Sequence, residues 1–432
     1  MAQSSGIALS LYLATRRVGG LARAQRNLRA DFGDEQSNDT RVSERLGRSE
    51  VPRPKGPLIW IHVGSEAEAQ AMPDLIDRLR DGGDSPAILM TTARYAPHDP
   101  LTARLPEDVI VQQAPYGYPA TAEAFLQHWR PDVVLWADNK LDPALISCSH
   151  RAGIAMFLID ARVPKRPVWR WLPGIRRTLL RQFDYVLAGE KQYVKRLRPL
   201  GVPANRIEAV GFLQEGIAPL PCSHAERDSL GEVIATRPTW LAAGHSGLEV
   251  PMLVEAHAQA MRRSHRLLLV LAPQNPDDGA ELATDLETDG WVVGLRSRDD
   301  EPEPDVEIFI VDLPDELGLW YRLSSISFMG GSLTPGTKHP VRNPFEAAAL
   351  GSAVLSGPNH GIWHESFERL REAGAARTVN DTDGLARAVE QLLSPELVAE
   401  MAAAAWEVTT SGAEASDRIV ELVNDALERK GW

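Results

Sequence analysis

Two stretches of short apolar runs alternating with helical patterns, parted by one proline- and glycine-rich pause, constrain this 432-residue chain more than any other feature. In the first stretch, Leu58-Ile59-Trp60-Ile61-His62 reads as a buried strand and residues 68–79 as a helix. Ala87-Ile88-Leu89-Met90-Thr91, Val133-Val134-Leu135-Trp136, residues 154–159 and Tyr185-Val186-Leu187 continue the strand series. Runs that are apolar throughout need cover on both faces, and a parallel sheet between two helix layers supplies it. The pattern pauses over residues 216–238, where Pro219, Pro221, Gly231 and Pro238 fall. It restarts with Trp240-Leu241-Ala242-Ala243 and runs on through residues 267–271, 306–311, 326–329 and 353–355. The reading is two successive βα domains, residues 1–222 and 223–432, the second closing with helices from residue 394. Ligands of such sheets lie beyond the carboxyl ends of the strands, so the expected site is the cleft between the two domains.

A net charge of −13 argues against general nucleic-acid binding. The positive charge is nevertheless concentrated. Residues 1–30 hold five arginines and no acid, and residues 160–200 hold eleven Lys/Arg against Asp160, Asp184 and Glu190. Such segments suit an anionic partner or, equally, solvated helix faces. Cys148 and Cys222 are too few for a disulfide framework or a four-thiolate metal site, which points to reducing cytosol. No apolar run approaches the ~18 residues of a membrane span. Ile7-Ala8-Leu9-Ser10-Leu11-Tyr12-Leu13-Ala14, followed by Arg16, Arg17, Arg23, Arg26 and Arg29, suits an interfacial helix on anionic lipid and equally a docked terminal helix.

Three clusters at strand ends bear chemistry. In His62-Val63-Gly64-Ser65-Glu66-Ala67-Glu68, a carboxylate at a helix start can deprotonate a hydroxyl, or simply complement the helix dipole. Ala137-Asp138-Asn139-Lys140-Leu141-Asp142-Pro143 follows the strand at Val133, and reads as a site lining or an ordinary loop. Phe328-Met329-Gly330-Gly331-Ser332-Leu333 and then Asn343-Pro344-Phe345-Glu346-Ala347-Ala348-Ala349 form the third. There a glycine turn and a helix N-terminus offer N–H groups to phosphate, and Glu346 offers a carboxylate to ribose hydroxyls. The competing reading is a strand-to-helix turn with proline in its first helical turn. Pro273, Gln274, Asp315, Glu316 and Gly318 lie in neighbouring loops. No Gly-x-Gly-x-x-Gly follows a strand, and no His/Cys spacing suits zinc. Asp381-Thr382-Asp383 resembles a metal-holding Asp-x-Asp but precedes a helical run, and reads as a helix cap.

Taken together, these segments resemble the 3-deoxy-D-manno-octulosonic acid (Kdo) transferases, from about residue 40 to the C-terminus. Residues 59–79, Asp160-Ala161-Arg162, 328–333 and 343–349 carry the resemblance. It implies an α/β protein of GT-B architecture, with two Rossmann-like domains facing a central cleft. The first domain takes the acceptor and carries a membrane-associating helix; the second takes the CMP-sugar. The family's catalytic base falls on Glu68, its transition-state carboxylate on Asp138, and its stabilising lysine on Gln214. The donor side falls on Pro273, Gln274, Asp315, Glu316, Gly331, Ser332, Asn343, Pro344, Phe345 and Glu346. Arg162, Lys165 and Arg166 are implied to hold acceptor phosphates.

The chain departs from the family pattern at several of these positions. Gln214 replaces lysine, Gln274 replaces an arginine, Lys140 replaces a second carboxylate, and Asp315 replaces a glycine. The loop over residues 334–342 is long and includes Lys338, His339 and Arg342, cations suited to a phosphate. The implied reaction is an inverting, metal-independent transfer of Kdo from CMP-Kdo to the lipid A precursor. It needs no cofactor and takes place at the cytoplasmic face of the inner membrane. A relative using another nucleotide sugar, and a catalytically silent lipid A-binding paralogue, are the competing readings.

Overall fold

The computed structural model describes residues 2–32, 40–64, 69–81, 85–92, 105–162, 173–216, 219–335 and 341–432. Two compact units divide the chain: Met1–Gly216 with Ser411–Trp432, and Ile217–Thr410. The sequence division at residue 222 lies six residues beyond this boundary, and the last segment packs with the first unit. The reason is a single long helix, Pro395–Glu428, whose Ile419, Leu422, Val423, Ala426 and Leu427 enter the first unit's core.

The first unit holds seven strands: β1 (Leu58–Val63), β2 (Ala87–Thr92), β3 (Ile110–Gln113), β4 (Val133–Ala137), β5 (Ala155–Ala161), β6 (Tyr185–Ala188) and β7 (Ile207–Ala209). They lie in the order β3-β2-β1-β4-β5-β6-β7, and every pairing is parallel. Successive side chains of a strand point to opposite faces. Accordingly Leu58 and Trp60 join one core layer with Phe125, Trp129 and Trp136, while Ile59 and Ile61 join another with Leu75, Leu135 and Val423. Trp60 lies 4.7 Å from Phe125 and 6.1 Å from Trp136, ring centre to ring centre.

The second unit repeats the plan with β8 (Thr239–His245), β9 (Leu268–Pro273), β10 (Val293–Leu295), β11 (Ile308–Ile310), β12 (Ile326–Met329), β13 (Ala353–Ser356) and β14 (Ala376–Thr378). Their order is β10-β11-β9-β8-β12-β13-β14, again parallel. Trp240, Leu269, Ile308, Phe328 and Leu355 form its core with Leu253, Leu385 and Val389 from the covering helices. Asp381 caps the helix Thr382–Leu392 by accepting from Gly384 N at 2.6 Å, as the cap reading expects. The strand order reverses between β1 and β4 in the first sheet and between β8 and β12 in the second, where β10 also lies outside β11. These reversals leave crevices at the carboxyl ends, where helices depart to opposite faces.

Candidate functional site

The first crevice opens where β1 and β4 end. His62, near the end of β1, is buried against Trp136, with ring centres 4.2 Å apart. Its Nδ1 is 2.9 Å from Thr91 Oγ1, which also accepts the Trp60 indole N–H at 2.8 Å. Its Nε2 is 3.8 Å from Asp138 Oδ2. Asp138, just past β4, is held by Lys140 N on Oδ1 at 2.7 Å, and its carbonyl accepts from Trp136 Nε1 at 2.8 Å. Gly64 makes this geometry possible, since a Cβ there would sit 2.2 Å from Asp138 Cγ. Imidazole and carboxylate are therefore fixed beside the point where β1 passes into the segment carrying Glu68.

Neighbouring strand ends are laced to this edge. Asn139 Oδ1 accepts from Arg162 N at 2.7 Å, joining the ends of β4 and β5. Asp160 adopts φ +50°, a left-handed conformation tolerated by Asp, and its Oδ1 accepts from Leu213 N at 2.9 Å. That bond brings the short Leu213–Glu215 turn, and with it the backbone of Gln214, to the same edge. The Arg162 guanidinium lies 4.3 Å over the Phe212 ring, a cation–π contact. Asp142 instead caps the helix Pro143–Arg151, its Oδ1 accepting from Ala144 N at 2.8 Å and Leu145 N at 2.9 Å. Burial pushes its carboxyl above the ordinary range against the pull of those two N–H groups. Asp138, Arg162 and the Gln214 backbone are thus gathered together. Glu68, Lys165, Arg166 and the Gln214 side chain lie outside the described residues.

The second crevice lies where β8 and β12 end, and there the structure corrects part of the sequence reading. Glu249 is fully buried and accepts from Gly331 N at 2.5 Å, Leu333 N at 2.9 Å, and Ser246 N and Oγ at 3.1 and 3.3 Å. The Gly331 and Leu333 N–H groups are therefore spent on this carboxylate rather than offered to phosphate, because a buried anion demands donors. Ser332 is also turned inward: its hydroxyl donates to the Met329 carbonyl and accepts from Gly357 N. Phe345 and Pro344 are buried, so their side chains serve packing. Glu316 is bound by Arg296, with Nε at 3.2 and 3.1 Å and Nη2 at 3.0 Å, and Arg296 also reaches Glu226 at 3.0 Å. The residue before it, Asp315, has φ +66°.

Asn343 does cap a helix, Pro344–Ala348, accepting from Phe345 N at 3.0 Å. Glu346 stands in its first turn, almost wholly buried, and accepts from Arg342 Nε at 2.8 Å. Burial works against the Arg342 charge, but Glu346 and Tyr321 beside it together hold its pKa above the ordinary value. Pro273 ends β9, and the next residue, Gln274, donates its N–H to the His245 carbonyl at 3.1 Å. His245 is buried with Nδ1 3.4 Å from the Ser246 carbonyl, and burial lowers its pKa to about 4, so the ring is neutral near neutral pH. Among the described residues no cluster of three or more His, Cys, Asp or Glu side chains is arranged to hold a metal ion.

The sequence reading places His62 in the first strand-end cluster without a role, and assigns neither Glu249 nor His245 to the site. His62 and His245 each carry one signal, a polar residue closing an apolar strand. Glu249 carries none, since two of its partners lie more than eighty residues downstream.

A family profile described as 3-deoxy-D-manno-octulosonic-acid transferase (kdotransferase) matches residues 40–215. A probable mitochondrial 3-deoxy-D-manno-octulosonic acid transferase of Arabidopsis thaliana is 29% identical, covering 83% of this chain and 82% of that protein. The 3-deoxy-D-manno-octulosonic acid transferase of Haemophilus influenzae is 28% identical, covering 90% of this chain and 92% of its own. Among solved structures, the UDP-GlcNAc 2-epimerase of Neisseria meningitidis bound to UDP-GlcNAc aligns over 85% of this chain and 100% of its own. Its TM-score is 0.53 at 14% identity, a likeness of fold alone. With two seven-stranded parallel sheets, the fold is α/β of the GT-B type.

Proposed function

We propose that the chain, similar over most of its length to the 3-deoxy-D-manno-octulosonic acid (Kdo) transferases, is a glycosyltransferase of that family and moves Kdo from CMP-Kdo to the lipid A precursor, lipid IVA. Glu68 takes the proton from a glucosamine hydroxyl of the acceptor. The oxygen then bonds to the anomeric carbon of Kdo as the bond from that carbon to the phosphate oxygen breaks. CMP departs with the electron pair, and the configuration inverts without a metal. Asp138, held beside His62, stabilises positive charge developing on the sugar, and Gln214 offers an amide hydrogen bond. Arg162, Lys165 and Arg166 receive acceptor phosphates. Asn343 and Glu346 shape the seat of the nucleotide.

The N-terminal helices suit the cytoplasmic face of the inner membrane. Ile7, Leu11 and Val18 stand exposed with Arg16, Arg17 and Arg23 nearby, an apolar and basic surface fit for anionic lipid. Among the described residues no helix is long and apolar enough to cross a membrane.

The observation carrying this reading is Asp138 packed on Gly64 beside His62, at the strand end that leads into Glu68. The test is Glu68→Gln, assayed with CMP-Kdo and tetra-acylated lipid A precursor by the mass of the lipid product. Removing a general base slows such a transfer about 10²- to 10⁴-fold. Wild-type turnover by the variant rejects Glu68 as the base. One observation favours a second reading, a different nucleotide sugar: Glu316, assigned to the donor, is bound to Arg296. A binding panel of CMP- and UDP-sugars separates the two, and a clear UDP-sugar preference rejects CMP-Kdo.

A further inference from the structure

Arg342 stands immediately before Asn343, the cap of the donor-side helix. Its stem lies on Gly244 in β8, where an added Cβ would meet Arg342 Cγ and Cδ at 3.0 Å. Gly244 has φ +67°, so a glycine serves both the backbone and the close approach. Nε of Arg342 is fixed at 2.8 Å to a Glu346 carboxylate that is only 4% exposed, whereas the arginine side chain itself is 29% exposed. The guanidinium is thereby anchored on its inner edge at the carboxyl ends of β8 and β12. Tyr321 hydrogen-bonds the same guanidinium, and the exposed part of the fork is what a ligand can meet.

Among the described residues, several donors of this crevice are spent, whereas the buried Thr334 hydroxyl has no partner. Gly331 and Leu333 give their N–H groups to Glu249, the Ser332 hydroxyl faces the Met329 carbonyl, and Gln274 N is bound to His245. His245 is buried and neutral. A nucleotide phosphate arriving here meets an acidic protein, with a net charge of −13, and needs a fixed cation at the point of contact. A planar guanidinium can hold Glu346 through Nε and a phosphate through its terminal nitrogens at once; a lysine ammonium is a point charge without that fork.

We propose that Arg342, and not the glycine turn after β12, receives the nucleotide phosphate of the donor and stabilises the charge it gains on departure. This rests on the donor reading given above and identifies the residue on which its phosphate recognition depends.

The test is equilibrium binding of CMP, cytidine, UMP and AMP to the full chain, as wild type, Arg342→Gln and Arg342→Lys. The expected result is a wild-type preference for CMP over cytidine. Arg342→Gln should weaken CMP about tenfold to a hundredfold and leave cytidine unchanged, the worth of a charge-assisted hydrogen bond. Arg342→Lys keeps a cation beside Glu346 and so preserves folding, yet should lose most of the same preference. If Arg342→Gln fails to fold because Glu346 is stranded, the lysine variant decides. Wild-type CMP binding by the variants overturns the proposal, as does equal loss of CMP and cytidine. Binding of UMP or AMP in place of CMP, with the same dependence on Arg342, upholds the proposal and rejects the CMP reading. A wild type that takes cytidine but gains nothing from the phosphate upholds the cytidine seat and overturns the role of Arg342. A wild type that binds none of the four overturns both.

Discussion

Glu249 shows what a single buried carboxylate can organise. It has no exposed surface, and its two oxygens accept four hydrogen bonds from the loop after β8 and the loop after β12. Two loops more than eighty residues apart in sequence are thereby held in one crevice. Glu316 is the same residue type with a different environment, paired to Arg296 at 16% side-chain exposure, and contributes to one side of a single unit. Glu249→Gln places an amide NH₂ against backbone donors that need an acceptor. Glu249→Ala leaves the Gly331 and Leu333 N–H groups buried without a partner. Each unsatisfied buried group costs about 1–3 kcal/mol, so a loss of about 2–5 kcal/mol is expected for either variant. Urea unfolding of the full chain measures it, with CMP affinity followed in parallel because the crevice loops shift as well. Unfolding midpoints equal to wild type in both variants contradict the assignment.

At the scale of elements, close packing of the β8 and β12 ends depends on Gly330. Its N–H donates to the Ala243 carbonyl at 2.9 Å, and an added Cβ would stand 2.4 Å from His245 Cα and N, both backbone atoms that cannot swing aside. Gly330→Ala should therefore destabilise the second unit by about 1–3 kcal/mol or more. Gly247→Ala, two residues past the end of β8, meets nothing within 4 Å and should be close to neutral. Chemical denaturation of the two variants side by side checks the contrast, and equal midpoints refute it. The same elements explain what the sequence made legible. β1, β2, β4, β8, β9, β12 and β13 are interior strands, apolar on both faces, and their runs stand out. β3, β7, β10 and β14 escape notice because edge strands are short: they have three or four residues, and β3, β7 and β14 are also part polar, with Gln112, Gln113, Glu208 and Arg377. The cap at Asn343 was legible because a capping bond is local. The fate of Gly331 and Ser332 was not, because it depends on Glu249 and Gly357, residues distant in sequence but adjacent across the sheet.

At the scale of the whole molecule, acid should act on the two units unequally. The second unit buries three histidines, His245, His257 and His360, each with a lowered pKa, and the first two are shifted most. His257 accepts from Trp240 Nε1 on Nδ1 at 3.2 Å, and its Nε2 is 3.1 Å from the Glu307 carbonyl, so a proton on Nδ1 would break the first bond. Burial lowers its pKa to about 3, and the Arg237 charge adds to that push. Burial lowers His245 to about 4, against the raising influence of the Ser246 carbonyl, Glu249 and Asp278. Both groups have folded values below the unfolded value of 6.5. The unfolded chain therefore binds protons first, and the stabilising effect is complete above pH 6.5. It declines as pH falls toward about 4 for His245 and about 3 for His257. At about pH 5 each of these two histidines should have cost the unit about 2 kcal/mol. The general charge repulsion of a chain at −13 eases over the same interval, so any fall in stability there runs against that background. Urea unfolding between about pH 7.5 and 5 should show the midpoint of the second unit dropping while that of the first changes less. His257→Gln keeps a donor and an acceptor but cannot be protonated, and should remove a substantial part of the slope in the second unit. A slope unchanged by His257→Gln, or a midpoint independent of pH over that range, shows that these rings are not the acid-sensitive elements.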